Sequence, residues 1–341
     1  GITECIRYGE LYTHYREVIN EIKSRTNVDK SALVLSEEND VIIPASGETT
    51  IDIATASCVL KPGIALGGDL NIIKSKNDGV FLSYYLNSKK KMEIANLAQG
   101  ISVVHLYSSQ LASLSLSLPT NQEQEKISTF LAKISERIDC SIKIINDLKT
   151  LKIATAKKIF SGELRFKDDN GNDFPEWEVR EVGEVFKITR GNVLAMNLVS
   201  NQCNEKNTYP VYSSQTKNNG LAGYYTDFLF EDAITWTTDG ANAGDVNYRS
   251  GKFYCTNVCG VLISNEGYAN SCIAELINSV SKNYVSYVGN PKLMNGVMSE
   301  IKIPFPSLPE QTKIANFLSA IDSKIDMENQ LLQKLEEQKK Y

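Results

Sequence analysis

At 341 residues, with 42% hydrophobic and 23% charged residues, the chain is long enough for two ordinary globular domains that each bury a core. No apolar run approaches the roughly 18 to 20 residues that cross a bilayer, and the opening GITECIRYGE lacks the basic flank and apolar stretch of a secretory signal, so a cytoplasmic place and no membrane partner are expected. A formal net charge of −5 argues against a broadly basic nucleic-acid binder, and His14 and His105 alone leave little material for a histidine-based acid/base or triad mechanism.

Residues 1–118 read as a mixed α/β domain. Short apolar runs at Ala32–Leu35, Asp40–Ile43, Ala56–Leu60 and Gly68–Ile73 are separated by Gly, Pro, Asn and Ser. Phe81 to Ala98 has helical spacing, and the alternating LASLSLSLP after it predicts a strand leading into a long helix over residues 119–160. Thr120 and Glu123 form a capping box at its start. Ile127, Leu131, Ile134, Ile138, Ile142, Ile145 and Leu148 follow a narrow, near-heptad seam that suits one partner helix. From Lys126 to Lys167 basic residues outnumber acidic ones, which reads as a solvated face before a phosphate-binding stripe.

Residues 161–173, SGELRFKDDNGND, read as a polar linker with a Gly turn, and residues 174–305 as a second strand-rich domain. Residues 306–341 then repeat the first helix. Pro119, Glu123, Gln124, Lys126, Ile127, Phe130, Leu131, Ile134, Ile138 and Asp139 match Pro306, Glu310, Gln311, Lys313, Ile314, Phe317, Leu318, Ile321, Ile325 and Asp326 without a gap. Ser307 and Glu310 repeat the capping box, and Ile314, Leu318, Ile321, Ile325, Leu332 and Leu335 repeat the seam. One repeat at half the chain length implies duplication of a domain-plus-helix unit rather than a solenoid. The simplest burial of both seams is against each other, which would hold the domains about 50 Å apart. The second domain opens with FPEWE and EVGEVFKITRG, which have no counterpart before Gly1. The second helix also ends where the first continues through Ala154–Phe166, so pieces are expected to be missing at both ends.

Motifs of catalysis are weak. No G-x-x-x-x-G-K-[ST] loop occurs, and Gly240–Gly244 lacks the lysine a triphosphate needs. Asn290-Pro291-Lys292-Leu293 lacks the second proline and the aromatic of the amino-methyltransferase signature. The seven cysteines have no framework spacing, and Cys255 and Cys259 have neither a second pair nor a nearby histidine, so buried reduced thiols are expected and no metal site.

The duplicated P-x-x-x-E-Q-x-x-I-x-x-F-L openings, the passage AKKIFSGELRFKDDNGNDFPEWE from Ala156 to Glu178, and CIRYGELYTHY from Cys5 to Tyr15 resemble the specificity (S) subunits of type I restriction-modification systems, over essentially the whole chain. The resemblance implies an α+β fold: two strand-rich mixed α/β target-recognition domains separated by a pair of long antiparallel coiled-coil helices. It implies a bipartite double-stranded DNA target, two docked methylation (M) subunits, restriction (R) subunits in the full complex, and no catalysis by this chain. S-adenosylmethionine, ATP and Mg would belong to the partner subunits. Base reading needs side chains matching groove-edge donors and acceptors, carried on loops. The candidates in the first domain are Arg7, Tyr8, Glu10, Tyr12, Tyr15, Ser46, Glu48, Thr49, Asp69 and Gln99. In the second they are Arg190, Asn192, Tyr212, Ser213, Ser214, Gln215, Asn218, Asn219, Thr237, Thr238, Asp239, Asn242, Asn257 and Lys292, with the Tyr212–Asn219 loop and Thr237–Gly244 turn foremost. The rival readings are a recognition module of another restriction-modification type and a non-DNA-binding scaffold whose acidity mimics DNA.

Overall fold

The computed structural model describes residues 2–215 and 218–339. The chain forms two compact units, Gly1–Lys143 with Asn329–Tyr341, and Ile144–Glu328.

In the first unit, Asp40–Pro44 is buried on both faces. Val41 and Ile43 point into a cluster with Ile53, Leu82, Leu86 and Ile94, while Ile42 joins Ile6, Leu11, Ile19, Val59 and Leu66 on the other side. This period-two alternation is what a strand covered on both faces requires. Its four-stranded sheet runs in the order Val18–Ile19, Ser57–Val59, Asp40–Pro44 and Leu70–Ile73; a second runs Ser24–Thr26, Thr3–Ile6, Ala65–Leu66 and Val34–Leu35. The helical spacing from Phe81 to Ala98 resolves into two helices, Gly79–Ser88 and Lys91–Leu97. The break at Lys89-Lys90 lets Ile94 and Ala95 join the same apolar cluster as Leu82 and Leu86.

The expected strand at LASLSLSLP does not form. Ser108–Leu111 is a short helix and residues 112–120 have no ladder. The physical reason lies in its counterpart, where Lys302–Phe305 is a strand because Glu178–Glu181 pairs with it in register from Glu178 opposite Phe305 to Glu181 opposite Lys302. Among the described residues, the first segment has no such partner. Alternation alone does not make a strand when its backbone groups are left to water.

The second unit is built on a six-stranded sheet in the order Lys187–Arg190, Cys259–Ile263, Phe230–Thr237, Val246–Cys255, Tyr209–Tyr212 and Leu221–Tyr225. One face packs Ile234, Trp236 and Leu262 against Ile273, Leu276 and Ile277 of the helix Ser271–Ser281. Each such fully buried side chain contributes about 1.5–3 kcal/mol. Trp236 donates its indole N–H to the Leu293 carbonyl at 2.9 Å, and its ring lies where any Cβ on Gly260 would be, 2.1 Å from the nearest ring atom. The glycine is therefore required by close packing.

Two long helices complete the fold, Asn121–Phe160 and Leu308–Lys339. Forty residues make the first about 60 Å long. Thr120 and Glu123 form the expected capping box, with the Thr120 N–H donating to Glu123 at 3.0 Å and the Glu123 N–H to the Thr120 hydroxyl at 3.4 Å. The second box does not form. Glu310 turns away from Ser307 and accepts from Arg165 at 2.9 Å and from the Trp177 indole at 2.8 Å, while among the described residues the buried Ser307 hydroxyl has no partner. A guanidinium and an indole N–H reaching a fully buried carboxylate outweigh a backbone cap. The linker is thus more than polar punctuation, since Arg165 and Phe166 are built into the helix packing, Phe166 lying 5.6 Å from the Phe317 ring.

The seams pair antiparallel. In the first unit Ile134 and Ile138 cluster with Leu335, Leu331 and Leu332; in the second, Ile159 clusters with Ile314 and Leu318. Ile145, Ile321 and Ile325 are buried, and Leu131 and Leu148 partly so. Ile127 departs from the expected seam and is 40% exposed, whereas its repeat mate Ile314 is 0% exposed. The reason is local: Ile314 is covered by Ile159, Cys272 and the Phe166 and Trp177 segment, and no described segment plays that part at Ile127. Lys152, on the first helix, bridges Asp322 of the second at 2.9 Å and Glu275 at 2.7 Å. Burial there works against its charge, and the two carboxylates more than compensate, raising its pKa. No described helix is long and apolar enough to cross a membrane.

Candidate nucleic-acid interface

In the first unit the candidate residues fall into two classes. Glu10 is 5% exposed; it accepts from the Arg7 backbone N–H at 2.9 Å, from the Arg7 guanidinium at 3.1 Å and from the Ser24 hydroxyl. Burial pushes its pKa up, but the bonds from Ser24 and Arg7 prevail and hold it below the usual carboxylate range. Ser46 is buried against His105 Nδ1 at 3.2 Å, and Gln99 pairs its backbone with His105 in both directions, at 2.9 and 2.7 Å. Thr49 caps the helical turn Thr50–Ile53 by accepting from the Asp52 N–H at 3.1 Å. Tyr15 accepts from the Lys23 N–H at 2.9 Å. These side chains hold the framework. Burial, and then the nearby Tyr8, Glu48 and Asp52, raise the Tyr12 pKa. Arg7, Glu48, Asp69 and the Gln99 side chain are exposed, and Asp69 adopts φ 59° beside the Asp40–Pro44 strand end.

The second unit gathers its candidates more tightly. Asp239 accepts from the Thr238 hydroxyl at 2.7 Å and sits between Arg190 at 3.9 Å and Lys292 at 3.8 Å. Thr237 and Thr238 are buried, and Thr238 also donates its backbone N–H to the Val258 carbonyl at 3.0 Å, so both carry the turn rather than face solvent. Two cations round one carboxylate leave a net positive point at the end of the central strand Phe230–Thr237. The loop after Tyr212 folds over the same end. Ser213 donates its N–H to the Gly220 carbonyl at 2.8 Å and shares a hydroxyl bond with Thr256 at 2.9 Å; Asn242 donates to the Ser214 carbonyl at 3.4 Å. Gln215 donates to the Leu221 carbonyl. Asn218 and Asn219 take φ 52° and 50°, a left-handed conformation that asparagine tolerates. Thr216 and Lys217, inside this loop, lie outside the described residues. Asn192 and Asn257 are exposed on neighbouring loops, Asn192 bridged to Thr256.

Sequence reasoning missed Arg249. On the strand Val246–Cys255, its guanidinium lies 3.8 Å from the Tyr212 ring centroid, donates to Thr235 at 3.0 Å and reaches the Asn219 carbonyl at 2.7 Å. A lone arginine in VNYRSGKFYC gives no sequence signal of this, because which face the strand buries is set by its neighbours. The chemistry assembled here is a set of amide, hydroxyl and cationic groups on loops fixed by a rigid sheet, suited to polar edges and phosphates. Among the described residues no cluster of metal-ligating side chains forms.

The comparisons with known proteins fit this arrangement. A family model described as type I restriction modification DNA specificity domain matches residues 6–150 and again 175–337. A candidate type I specificity subunit of Mycoplasma pneumoniae is 33% identical over 217 residues, covering 62% of this chain and 82% of the relative. The type I restriction enzyme MpnII specificity subunit of the same organism is 36% identical over 149 residues, covering 43% of this chain and 44% of the relative. The S subunit of a type I restriction-modification system from M. genitalium superposes with a TM-score of 0.70 at 19% identity, over 99% of this chain and 87% of that one, which shows a shared fold.

Proposed function

The chain belongs to the family of type I restriction-modification DNA specificity subunits, and we propose that it reads a bipartite double-stranded DNA target, one half-site by the exposed loops of each unit. The single observation that carries this is the repetition inside one chain: two family matches, two dissimilar loop-bearing sheets and two copies of one helix. Arg190, Lys292, Asn192, Asn257 and the Tyr212–Asn219 loop are the base- or phosphate-facing groups of one unit. Arg7, Tyr8, Tyr12, Glu48 and Asp69 serve the other. Phosphate contacts position the protein and base contacts specify the sequence.

On this reading the paired helices set the gap between half-sites and dock two methylation subunits, with restriction subunits joining the full complex. The chain performs no catalysis; S-adenosylmethionine, ATP and Mg act in the partner subunits, inside the cytoplasm. Local positive points such as Arg190 and Lys292 explain how a chain of net charge −5 binds DNA. The test is titration of the chain with its methylation partner against duplex DNA at several salt concentrations, with sequencing of methylated bases in the host. A salt-dependent affinity and a split methylated motif are expected. A salt-independent affinity or an unsplit motif would overturn the reading.

A further inference from the structure

Beside Ser213 and Asn219 lies a cavity of about 250 Å³, lined also by Asn242, Asn247, Arg249 and Asn278 among others. Arg249 is 9% exposed, and among the described residues no carboxylate lies within ion-pair distance of it. Its Nε and Nη2 are spent on the Thr235 hydroxyl and Asn219 carbonyl, and its face on the Tyr212 ring. Among the described residues, Nη1 donates to no acceptor. The carboxylate that lines the cavity, Asp245, is held by Lys282 at 2.7 Å. A buried charge without a counter-charge is costly, and burial indeed lowers the Arg249 pKa.

We infer that this cavity is an oxyanion pocket that takes a phosphate group, with Arg249 supplying the charge and the surrounding amides and hydroxyls supplying the remaining donors. The inference deepens the DNA-reading proposal and rests on it for the source of the phosphate, the target backbone. Binding would neutralise the guanidinium that already touches the Tyr212 ring and the Asn219 carbonyl, so exchange slows at the residues it holds.

Two arms test it. In the first, hydrogen exchange of the free chain is compared in inorganic phosphate and in chloride at equal ionic strength. Slowing confined to residues 212–215, 218–220 and 235–249 is expected. Arg249→Gln should weaken the phosphate effect at least tenfold, with Arg249→Lys intermediate. No slowing in the unmodified chain overturns the pocket without recourse to any variant, and so does an effect that survives in folded Arg249→Gln. In the second arm, the chain with its methylation partner binds duplex DNA, and Arg249→Gln should reduce the salt slope by about 1. An unchanged slope with a positive first arm keeps the pocket and assigns it to free phosphate. If the unmodified complex fails to bind DNA, the DNA-reading proposal falls while the first arm still decides the pocket.

Discussion

Gln124 and Gln311 make corresponding hydrogen bonds in the two units, to a proline carbonyl and to the N-cap residue of a domain helix. Each donates from Nε2 to the proline carbonyl five residues back, Gln124 to Pro119 at 2.9 Å and Gln311 to Pro306 at 2.8 Å. Each Oε1 then accepts at the cap of the domain helix, from the Asp78 N–H at 3.1 Å and from the Asn270 amide at 2.8 Å. Asp78 and Asn270 are themselves the N-caps of Gly79–Ser88 and Ser271–Ser281. One buried amide thus joins each long helix to its domain. Gln311→Ala and Gln124→Ala each leave buried groups unpaired, so each is expected to cost about 1–3 kcal/mol. Denaturant unfolding followed by hydrogen exchange at each helix start checks the size and the unit affected; no loss at either site would show that water replaces the amide.

Glu123 and Glu310 share a sequence position in the repeat but not an environment. Glu310 is fully buried under Arg165 and Trp177, while Glu123 caps its helix in solvent. Glu310→Ala should destabilise the second unit by about 3–5 kcal/mol, because it strands the indole N–H and guanidinium. Glu123→Ala should be much milder. Equal unfolding midpoints for the two variants would contradict the structure.

Glu10 predicts the acid limit of the first unit. Its folded pKa lies below that of an exposed carboxylate, so its stabilisation is complete above about pH 4.3 and is lost as pH falls through the folded value. Unfolding midpoints measured from pH 6 to pH 3 should fall in that window, and Glu10→Gln should lower the pH 6 midpoint while flattening the acid slope. A variant with the full acid slope would assign the loss to another group.

These contrasts show what the sequence made legible. Matching Glu-Gln pairs and isoleucines marked the duplicated helix because covalent period alone generates that pattern, and Ile138 and Leu335 meet as the seam requires. The LSLSLP segment misled because strand formation depends on a partner, and the partner of its counterpart is Glu178–Glu181, more than a hundred residues from Lys302. Glu10 and Thr238 looked like reading residues because polarity is visible in sequence and burial is not. Arg249 stayed hidden for the converse reason: its role comes from the loop folded over it.

The cysteines should divide by burial. Cys140 and Cys203 are exposed; Cys5, Cys58, Cys255, Cys259 and Cys272 are buried. Burial pushes the Cys58 thiol up to about 12 and Cys259 to about 11, and raises Cys255 and Cys272 as well. Thiolate is the reactive form, so an alkylating agent near pH 8 should modify two thiols quickly and the rest only after unfolding. Mass spectrometry of the time course reads the count, and fast modification of Cys255 or Cys259 would mean that their sheet face opens in solution.

The proposed spacing role of the helices gives the sharpest genetic test. Ile138 clusters with Leu335 and Ile159 with Ile314, so residues level with each other sum to about 473, which sets Ile145 opposite Glu328. Seven residues inserted after Ile145 and seven after Glu328 keep the seam in phase, because a heptad is two turns of the paired helix. Each insertion adds about 10.5 Å of helix, or about 3 base pairs of duplex. Both half-sites come from loops that the insertion leaves untouched. The methylated motif should therefore keep its two half-sites while the nonspecific gap grows by about 3, and sequencing of methylated bases reads both together. A complex that methylates the original spacing would show that the gap is set elsewhere. Changed half-sites would show that the helices, and not the loops alone, take part in reading.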